Sequence, residues 1–216
     1  MHLVPIPENV HTRYFVLGSG VLNELPELLK TAFPGRKPVL IADENTFRAA
    51  GTKTLELLRN AGFPAEICKI FPGKPRLHAM DDYSNELAPL FPEDCVPVAV
   101  GSGVINDLVK RASELRKLLY CCVATAASMD GYTASGAALH VQGRKITQPC
   151  HAPYALLADI DILKSAPATM LSAGYGDLMA KVPAGAEWRI VDSLGIEKIE
   201  PTVFRLVQSD LKDWLT

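Results

Sequence analysis

The sequence predicts an α/β fold in which a Rossmann-like parallel sheet domain is followed by the first helices of an incomplete α-helical domain. Short apolar runs bounded by turn residues alternate with stretches of helical spacing, the pattern of βαβ units. Two glycines, Gly101 and Gly103, stand between one such run and one such stretch. The composition shifts at about residue 165, and mainly helical patterns follow. We therefore predict a nucleotide-binding domain over residues 1–164 and the start of a helical domain over 165–216.

Composition narrows the classes of partner. The chain has 216 residues, is 48% hydrophobic and carries a formal net charge of -2. This charge provides no electrostatic case for binding nucleic acid or an anionic membrane. No apolar run is long enough to span a bilayer, and the N-terminus lacks the pattern of a signal peptide. Five cysteines without CxxC spacing favour buried, reduced thiols. We expect a cytoplasmic protein.

The first third of the chain reads as two strand–helix pairs. Residues 13–17 predict a strand that ends at Gly18-Ser19-Gly20, which we interpret as a structural turn, and helical spacing follows. Residues 38–42 predict a buried strand, followed by a helix that ends near Gly62. Asp43 comes directly after this strand. Two interpretations stay open: a hydrogen bond to an adenosine ribose, or an N-cap on the helix.

The middle third contains the turn that organises the prediction. Residues 66–70 predict a strand, 80–90 a helix, 96–100 a strand, and 119–125 another strand. Between the last two, apolar residues from Val104 to Leu119 recur at helical spacing. The start of that helix, after a turn with no Cβ at two positions, suits a phosphate group. A tight turn without a ligand is the alternative, because a lone GxG is weak evidence.

Position along the sheet favours the ligand. Asp43, Gly101, Gly103 and Thr125 all lie at the predicted carboxyl ends of strands, where open α/β sheets bind ligands. A hairpin is predicted over residues 139–146 around Gly143, and a further strand over 154–158. From about Ala173 to Thr216 the patterns are mainly helical.

Four segments resemble the glycerol-1-phosphate dehydrogenases, which belong with the iron-type alcohol dehydrogenases and dehydroquinate synthases. The resemblance runs from the first strand to about Trp188. Its most specific part is Ser128-Met129-Asp130-Gly131 with the Ser135–Leu139 stretch after it. The four segments are Gly101–Lys110, Ser128–Leu139, His151–Pro153 and Ala173–Leu178.

The resemblance implies an activity and its cofactors. Members of this family transfer a hydride between NAD(P)H and dihydroxyacetone phosphate, which gives sn-glycerol 1-phosphate. A divalent metal, zinc or nickel, polarises the substrate carbonyl. The resemblance therefore implies NAD or NADP, such a metal and a small phosphorylated substrate, and we also expect a homo-oligomer.

The resemblance also implies residue roles. Asp130 would touch the substrate, and Asp177 would be a metal ligand near the substrate. Asp43 would contact the adenosine ribose, which favours NAD over NADP. Thr125 and Ser128 would line the nicotinamide. The pyrophosphate would be held by the turn and helix start, whose residues are Gly101, Ser102, Gly103, Val104 and Ile105, with Asp107 also in the cofactor-binding set.

This chain departs from the family pattern at several positions. Alanines stand at 124 and 127, where the family usually has prolines, and Ala134 replaces a serine expected near the cofactor. The family completes its metal site with two histidines downstream of the aspartate, but no histidine follows Asp177. Two hypotheses follow: a glycerol-1-phosphate dehydrogenase represented by a shortened chain, or a non-catalytic nucleotide-binding or interaction module derived from that family.

Overall fold

A computed structural model, which describes residues 1–8 and 10–215, contains a six-stranded parallel sheet in the order β1-β8-β5-β4-β2-β3 and a separate antiparallel hairpin, β6–β7. The Rossmann-like α/β prediction is confirmed. The strands are β1 Tyr14–Gly18, β2 Lys37–Asp43, β3 Glu66–Phe71, β4 Cys95–Gly101, β5 Cys121–Ala124, β6 Ala137–Val141, β7 Arg144–Gln148 and β8 Ala155–Asp159.

Helices connect the strands and follow the last of them. The α-helices are α1 Leu25–Ala32, α2 Glu44–Thr46, α3 Thr52–Asn60, α4 Asp81–Leu87, α5 Gly103–Arg116, α6 Ile160–Ser165, α7 Ala168–Met179, α8 Lys181–Ser193, α9 Pro201–Gln208 and α10 Leu211–Leu215. A π-helical turn, Phe47–Gly51, joins α2 to α3. Short 3₁₀ turns are Val21–Glu24, Ala88–Leu90 and Gly131–Thr133.

Both faces of the sheet are covered, which explains the continuous apolar runs in its central strands. Every residue of β4 and of β5 is buried. On one face Leu28 of α1 and Leu58 of α3 pack in one core. On the other face Leu87 of α4 and Leu108 of α5 pack in a second core. Since helices cover both faces, the side chains on both sides of these strands are buried and the strands are apolar throughout.

The order of the strands creates a crevice at the carboxyl edge of the sheet. The connection from β2 to β3 runs over one face through α3, and that from β4 to β5 runs over the other through α5. Strands β2 and β4 are neighbours, with Ile41 opposite Ala99. Their carboxyl ends therefore flank a topological switch point, the usual ligand position in such sheets.

Helix α5 ends earlier than the apolar spacing predicts. Lys117 adopts the left-handed conformation with φ 55, and the Leu118 N–H donates to the Ser113 carbonyl at 2.9 Å. This is a Schellman ending. The helical pattern predicted as far as Leu119 therefore stops at Arg116, and the next strand begins at Cys121 rather than at residue 119. Leu115, in the last turn of α5, and Leu119, beyond it, are 42% and 44% exposed.

The hairpin is confirmed around Gly143. Residues 142 and 143 have φ values of 49 and 78, and Val141 pairs with Arg144 across the turn. Two consecutive positive φ angles give the twist that a two-residue hairpin loop requires.

The thiols agree with the sequence-based expectation: all five cysteines are unpaired, and all except Cys68 are buried.

The described residues fall into two compact units. The first unit comprises residues 1–127 and 131–166, and the second comprises Ser128–Asp130 with helices α7 to α10. Within the second unit Gly185 and Leu211 are the buried residues of those helices that the structure describes. Across residues 1–8 and 10–215, the helices are all too short or too polar to cross a bilayer.

One buried carboxylate joins the end of β8 to the turn that follows β1. Asp159 at the end of β8 is 3% exposed, and its two oxygens accept hydrogen bonds from Gly20 N at 3.1 Å and Leu22 N at 2.9 Å. The same carboxylate caps α6 by accepting from Asp161 N at 3.0 Å. Gly18-Ser19-Gly20 is thus a structural turn, and Gly20 has φ 70.

Replacing this carboxylate should destabilise the first unit. In Asp159→Ala three backbone N–H groups lose their acceptor, and we expect the free energy of unfolding to fall by about 2–3 kcal/mol. Urea unfolding measures the difference. Asp161→Ala is the matched control, because that side chain is exposed and its backbone N–H is retained. Equal stability of the two variants would contradict the assignment.

Candidate functional site

The turn between β4 and α5 lets the helix begin in close contact with the end of the strand. A Cβ on Gly101 would lie 2.5 Å from the Ile105 Cβ, so only glycine fits there. Ser102 is extended, and the first helical hydrogen bond runs from Asn106 N to the Ser102 carbonyl at 3.0 Å. Among the described side chains, none caps the start of α5. Backbone N–H groups at the positive end of a 14-residue helix are therefore available to an anion.

The predicted pyrophosphate residues differ in how they can contact a ligand. Ser102, Gly103 and Val104 are partly exposed at the turn. Ile105 is buried and its side chain packs beneath Gly101, so any contact from Ile105 to a ligand must come from its backbone. This division follows from the helix geometry, which turns residue 105 toward the core.

Thr125 lies beside this turn. It follows β5 directly, is buried, and its N–H donates to the Gly101 carbonyl at 3.2 Å. The structure therefore brings two predicted cofactor residues together at the carboxyl ends of adjacent strands. Their contacts with a cofactor remain predictions.

Asp43 acts as a helix cap. Its Oδ1 accepts from Asn45 N at 2.8 Å and from Thr46 N at 2.9 Å, and its own N–H donates to the Thr46 hydroxyl at 3.0 Å. This reciprocal arrangement is a capping box. The N-cap interpretation of Asp43 is therefore observed in the structure. The residue also lies at the carboxyl end of β2, where a contact with an adenosine ribose would require it.

Asp107 contacts the backbone of β6. Its Oδ2 accepts from Ala138 N at 3.3 Å, and its Oδ1 lies 3.7 Å from the Lys110 ammonium. Burial raises the pKa of Asp107 to about 6, although the neighbouring ammonium opposes this shift. These contacts give Asp107 a role in holding backbone, while its contact with a cofactor remains a prediction.

The second unit contains a separate cluster of charged side chains. The Asp130 N–H donates to Asp177 Oδ2 at 2.8 Å, and the Asp130 carboxylate forms an ion pair with Lys181. The two aspartates that the sequence singles out are therefore neighbours. Burial tends to raise the pKa of Asp130, but hydrogen bonds with Lys181 and Asp177 outweigh it and hold the pKa below its ordinary value. Ser128, in the same segment, is partly exposed.

Lys181 was missed in the sequence, although a signal was present. It stands four residues after Asp177, which places the two side chains on one side of a helical stretch. The ammonium partly neutralises the carboxylate pair. Asp130 can therefore stay ionised beside a second acid and orient polar groups of a ligand by hydrogen bonding.

A divalent metal does not fit the described residues by themselves. Over residues 1–8 and 10–215, no group of three or more histidine, cysteine, aspartate or glutamate side chains is arranged to hold a metal ion. Asp177 offers oxygen, but the neighbouring Asp130 is paired with an ammonium. A zinc centre ordinarily needs at least three protein ligands.

Comparison with known proteins identifies the relationship. The family profile described as iron-containing alcohol dehydrogenase matches residues 16–167. A glycerol-1-phosphate dehydrogenase [NAD(P)+] of Bacillus subtilis (strain 168) is 37% identical over 200 residues, which cover 91% of this chain and 50% of that protein. The chain thus spans about half the length of the curated relatives it matches. The expected resemblance to glycerol-1-phosphate dehydrogenases is confirmed.

Solved structures support the same fold. Glycerol dehydrogenase from Schizosaccharomyces pombe superposes with a TM-score of 0.63 at 22% identity, over 77% of this chain and 42% of that chain. A 2-deoxy-scyllo-inosose synthase, complexed with carbaglucose-6-phosphate, NAD+ and Co2+, superposes with a TM-score of 0.66 at 19% identity, over 77% of this chain and 47% of that chain.

The raised pKa of Asp107 predicts an unusual pH dependence. The folded protein binds this proton more tightly than the unfolded chain, so the group stabilises the fold at low pH. That contribution is lost as the pH rises from about 4 to about 6. Asp107→Asn removes the titration. Between those limits we expect the unfolding free energy of the wild type to fall by about 1–3 kcal/mol relative to the variant.

Urea unfolding at several pH values measures this difference. Asp82→Asn, at an exposed position of α4, is the matched control and should show no such trend. A difference that grows in favour of the wild type as the pH rises would contradict the assignment of the raised pKa to Asp107.

Proposed function

Since this chain belongs to the iron-containing alcohol dehydrogenase family, we propose that it binds NAD or NADP and serves hydride transfer between dihydroxyacetone phosphate and sn-glycerol 1-phosphate. The observation that carries the proposal is the start of α5, which has no side-chain cap among the described residues and follows Gly101 at the switch point of the sheet. Such a helix start suits a pyrophosphate. The proposed activity is inferred from the curated relatives, which are named glycerol-1-phosphate dehydrogenase.

The residues of the first unit fit a dinucleotide. The backbone N–H groups from Gly103 onward would hold the pyrophosphate, and Gly101 would let it approach closely. Asp43, at the end of the neighbouring strand, would contact the adenosine ribose, and Thr125 would line the nicotinamide. The bound cofactor supplies the hydride, while the protein supplies position and electrostatics. A negative Asp43 disfavours a 2′-phosphate and so favours NAD over NADP.

The residues of the second unit fit a small polar substrate. Ser128 would line the nicotinamide side, and Asp130 would accept a hydrogen bond from a substrate hydroxyl. Asp177 would accept another and, in the family role, bind a metal. Lys181 keeps the charge of this pair from repelling a phosphorylated, anionic substrate. The described residues do not by themselves form a zinc or nickel centre.

The second candidate function is a non-catalytic nucleotide-binding or interaction module of this family, which would need no metal centre. We also propose that the chain forms a homo-oligomer. Large apolar side chains such as Leu171, Leu194 and Leu206 of the second unit are exposed and would be covered by association. Light scattering that shows a monodisperse monomer would contradict this.

Turnover tests the activity. NADH oxidation by the purified chain is followed with dihydroxyacetone phosphate, with zinc or nickel supplied. The expected result is oxidation that depends on the substrate and is much slower with dihydroxyacetone, which lacks the phosphate. Binding of NADH without turnover would favour the non-catalytic module, and absence of NADH binding would contradict both candidate functions.

A charge placed at the start of α5 tests the cofactor site. Ser102→Asp puts a carboxylate where the pyrophosphate is proposed to lie, and we expect NADH to bind at least about tenfold more weakly. Ser102→Asn is the matched control, because aspartate and asparagine are both good N-caps and only aspartate is charged. Fluorescence titration gives the two Kd values. Equal Kd values would show that the pyrophosphate lies elsewhere.

A further inference from the structure

A lysine on the helix that begins at the proposed phosphate turn is buried. Lys110 of α5 is 1% exposed, which is rare for this residue type. Its ammonium donates to the carbonyls of Ala134 at 3.0 Å, Gly136 at 3.0 Å and Gly131 at 3.4 Å. An ammonium has three donors, and three backbone carbonyls of one loop receive them.

The number and type of acceptors explain why a buried charge is tolerated. Burying an ammonium is costly unless it is both hydrogen-bonded and near an opposite charge. Asp107, one turn earlier on the same helix, supplies that charge at 3.7 Å. Burial lowers the pKa of Lys110, and the carboxylate opposes the shift. The ammonium therefore fixes loop 131–136 to α5 rather than contributing to a surface ion pair.

A second set of hydrogen bonds connects this loop to the strand ends. Asn106 Nδ2 donates to the Tyr132 carbonyl at 3.3 Å, and the Tyr120 hydroxyl donates to Asn106 Oδ1 at 3.0 Å. The Tyr132 hydroxyl lies 2.8 Å from the carbonyl of Ala126 and 3.5 Å from that of Gly101. Gly101 also accepts from the Thr125 N–H.

We propose that Lys110 and Tyr132 are positioning residues of the cofactor site: Lys110 fixes loop 131–136, and through it the Tyr132 hydroxyl fixes the chain at Gly101 and Thr125–Ala126. The inference rests on the proposed function, which assigns the pyrophosphate to Gly101 and the nicotinamide to Thr125. Neither Lys110 nor Tyr132 needs to touch the cofactor. Their effect is greatest at the proposed nicotinamide end, because the Tyr132 hydroxyl lies 2.8 Å from the carbonyl of Ala126, the neighbour of Thr125, but 3.5 Å from that of Gly101.

Two ligands separate a positioning role from general destabilisation. ADP-ribose carries the adenosine and the pyrophosphate but no nicotinamide, whereas NADH carries all three. Tyr132→Phe removes one hydroxyl and keeps the ring. We expect it to weaken NADH binding about five- to tenfold, the size that follows if the contribution of this internal hydrogen bond is lost from the bound state, and ADP-ribose binding by less than about twofold.

Lys110→Met tests the first step of the chain of contacts, because it keeps the length of the side chain and removes the ammonium. We expect the same selective loss of NADH affinity, together with faster amide hydrogen exchange in peptides that cover residues 131–136. Tyr83→Phe, on α4, is the matched control and should leave both affinities unchanged. If Lys110→Met does not fold, Tyr132→Phe decides the question.

The outcomes are distinct. Selective loss of NADH affinity in Tyr132→Phe supports the inference. Equal loss of both ligands, or no loss, overturns it while leaving the proposed function standing. A wild-type chain that binds neither ligand contradicts the proposed function itself.

Discussion

The first unit depends on the close packing of α5 against the end of β4. Gly101 has no Cβ, so Ile105 can lie directly against the strand end, and the helix then starts at the sheet edge with its first N–H groups exposed to a ligand. A larger residue at position 101 would push the helix start away. The same helix carries Asn106, Asp107 and Lys110, which form hydrogen bonds with the backbone of residues 131–138. One steric constraint thus sets both the proposed anion site and its surroundings.

Much of this arrangement was predictable because local sequence specifies it. Apolar runs identify β2, β4 and β8, and the glycines identify the turn before α5. The end of α5 was not predictable from spacing, because Lys117 takes a left-handed conformation that non-glycine residues adopt only rarely. Asp43 shows a different limit: both interpretations require an acid at that position, so its residue type alone does not separate them.

The role of Lys110 was hidden for another reason. Its partners lie 21 to 26 residues further along the chain and are backbone carbonyls, which have no identity in a sequence. Lys181 has a side-chain partner, Asp130, and a helical neighbour, Asp177, so its spacing did carry information. The two lysines also differ in energetics: Lys181 is partly exposed and water screens its ion pair, whereas Lys110 is enclosed and all its donors must be satisfied within the protein.

The pairing of β1 with β8 has a consequence for how the chain folds. Tyr14 lies opposite Ala155, and Thr12 reaches the Pro153 carbonyl across 141 positions of sequence. Among the described strands β8 is the one that pairs with β1, which otherwise makes an isolated bridge between Val16 and Leu3. During synthesis the first strand must therefore wait until nearly the whole first unit has emerged before it can pair. Closing so long a loop is entropically costly and slow, so β1 joins late, and the interior of the sheet can form before its first strand is in place.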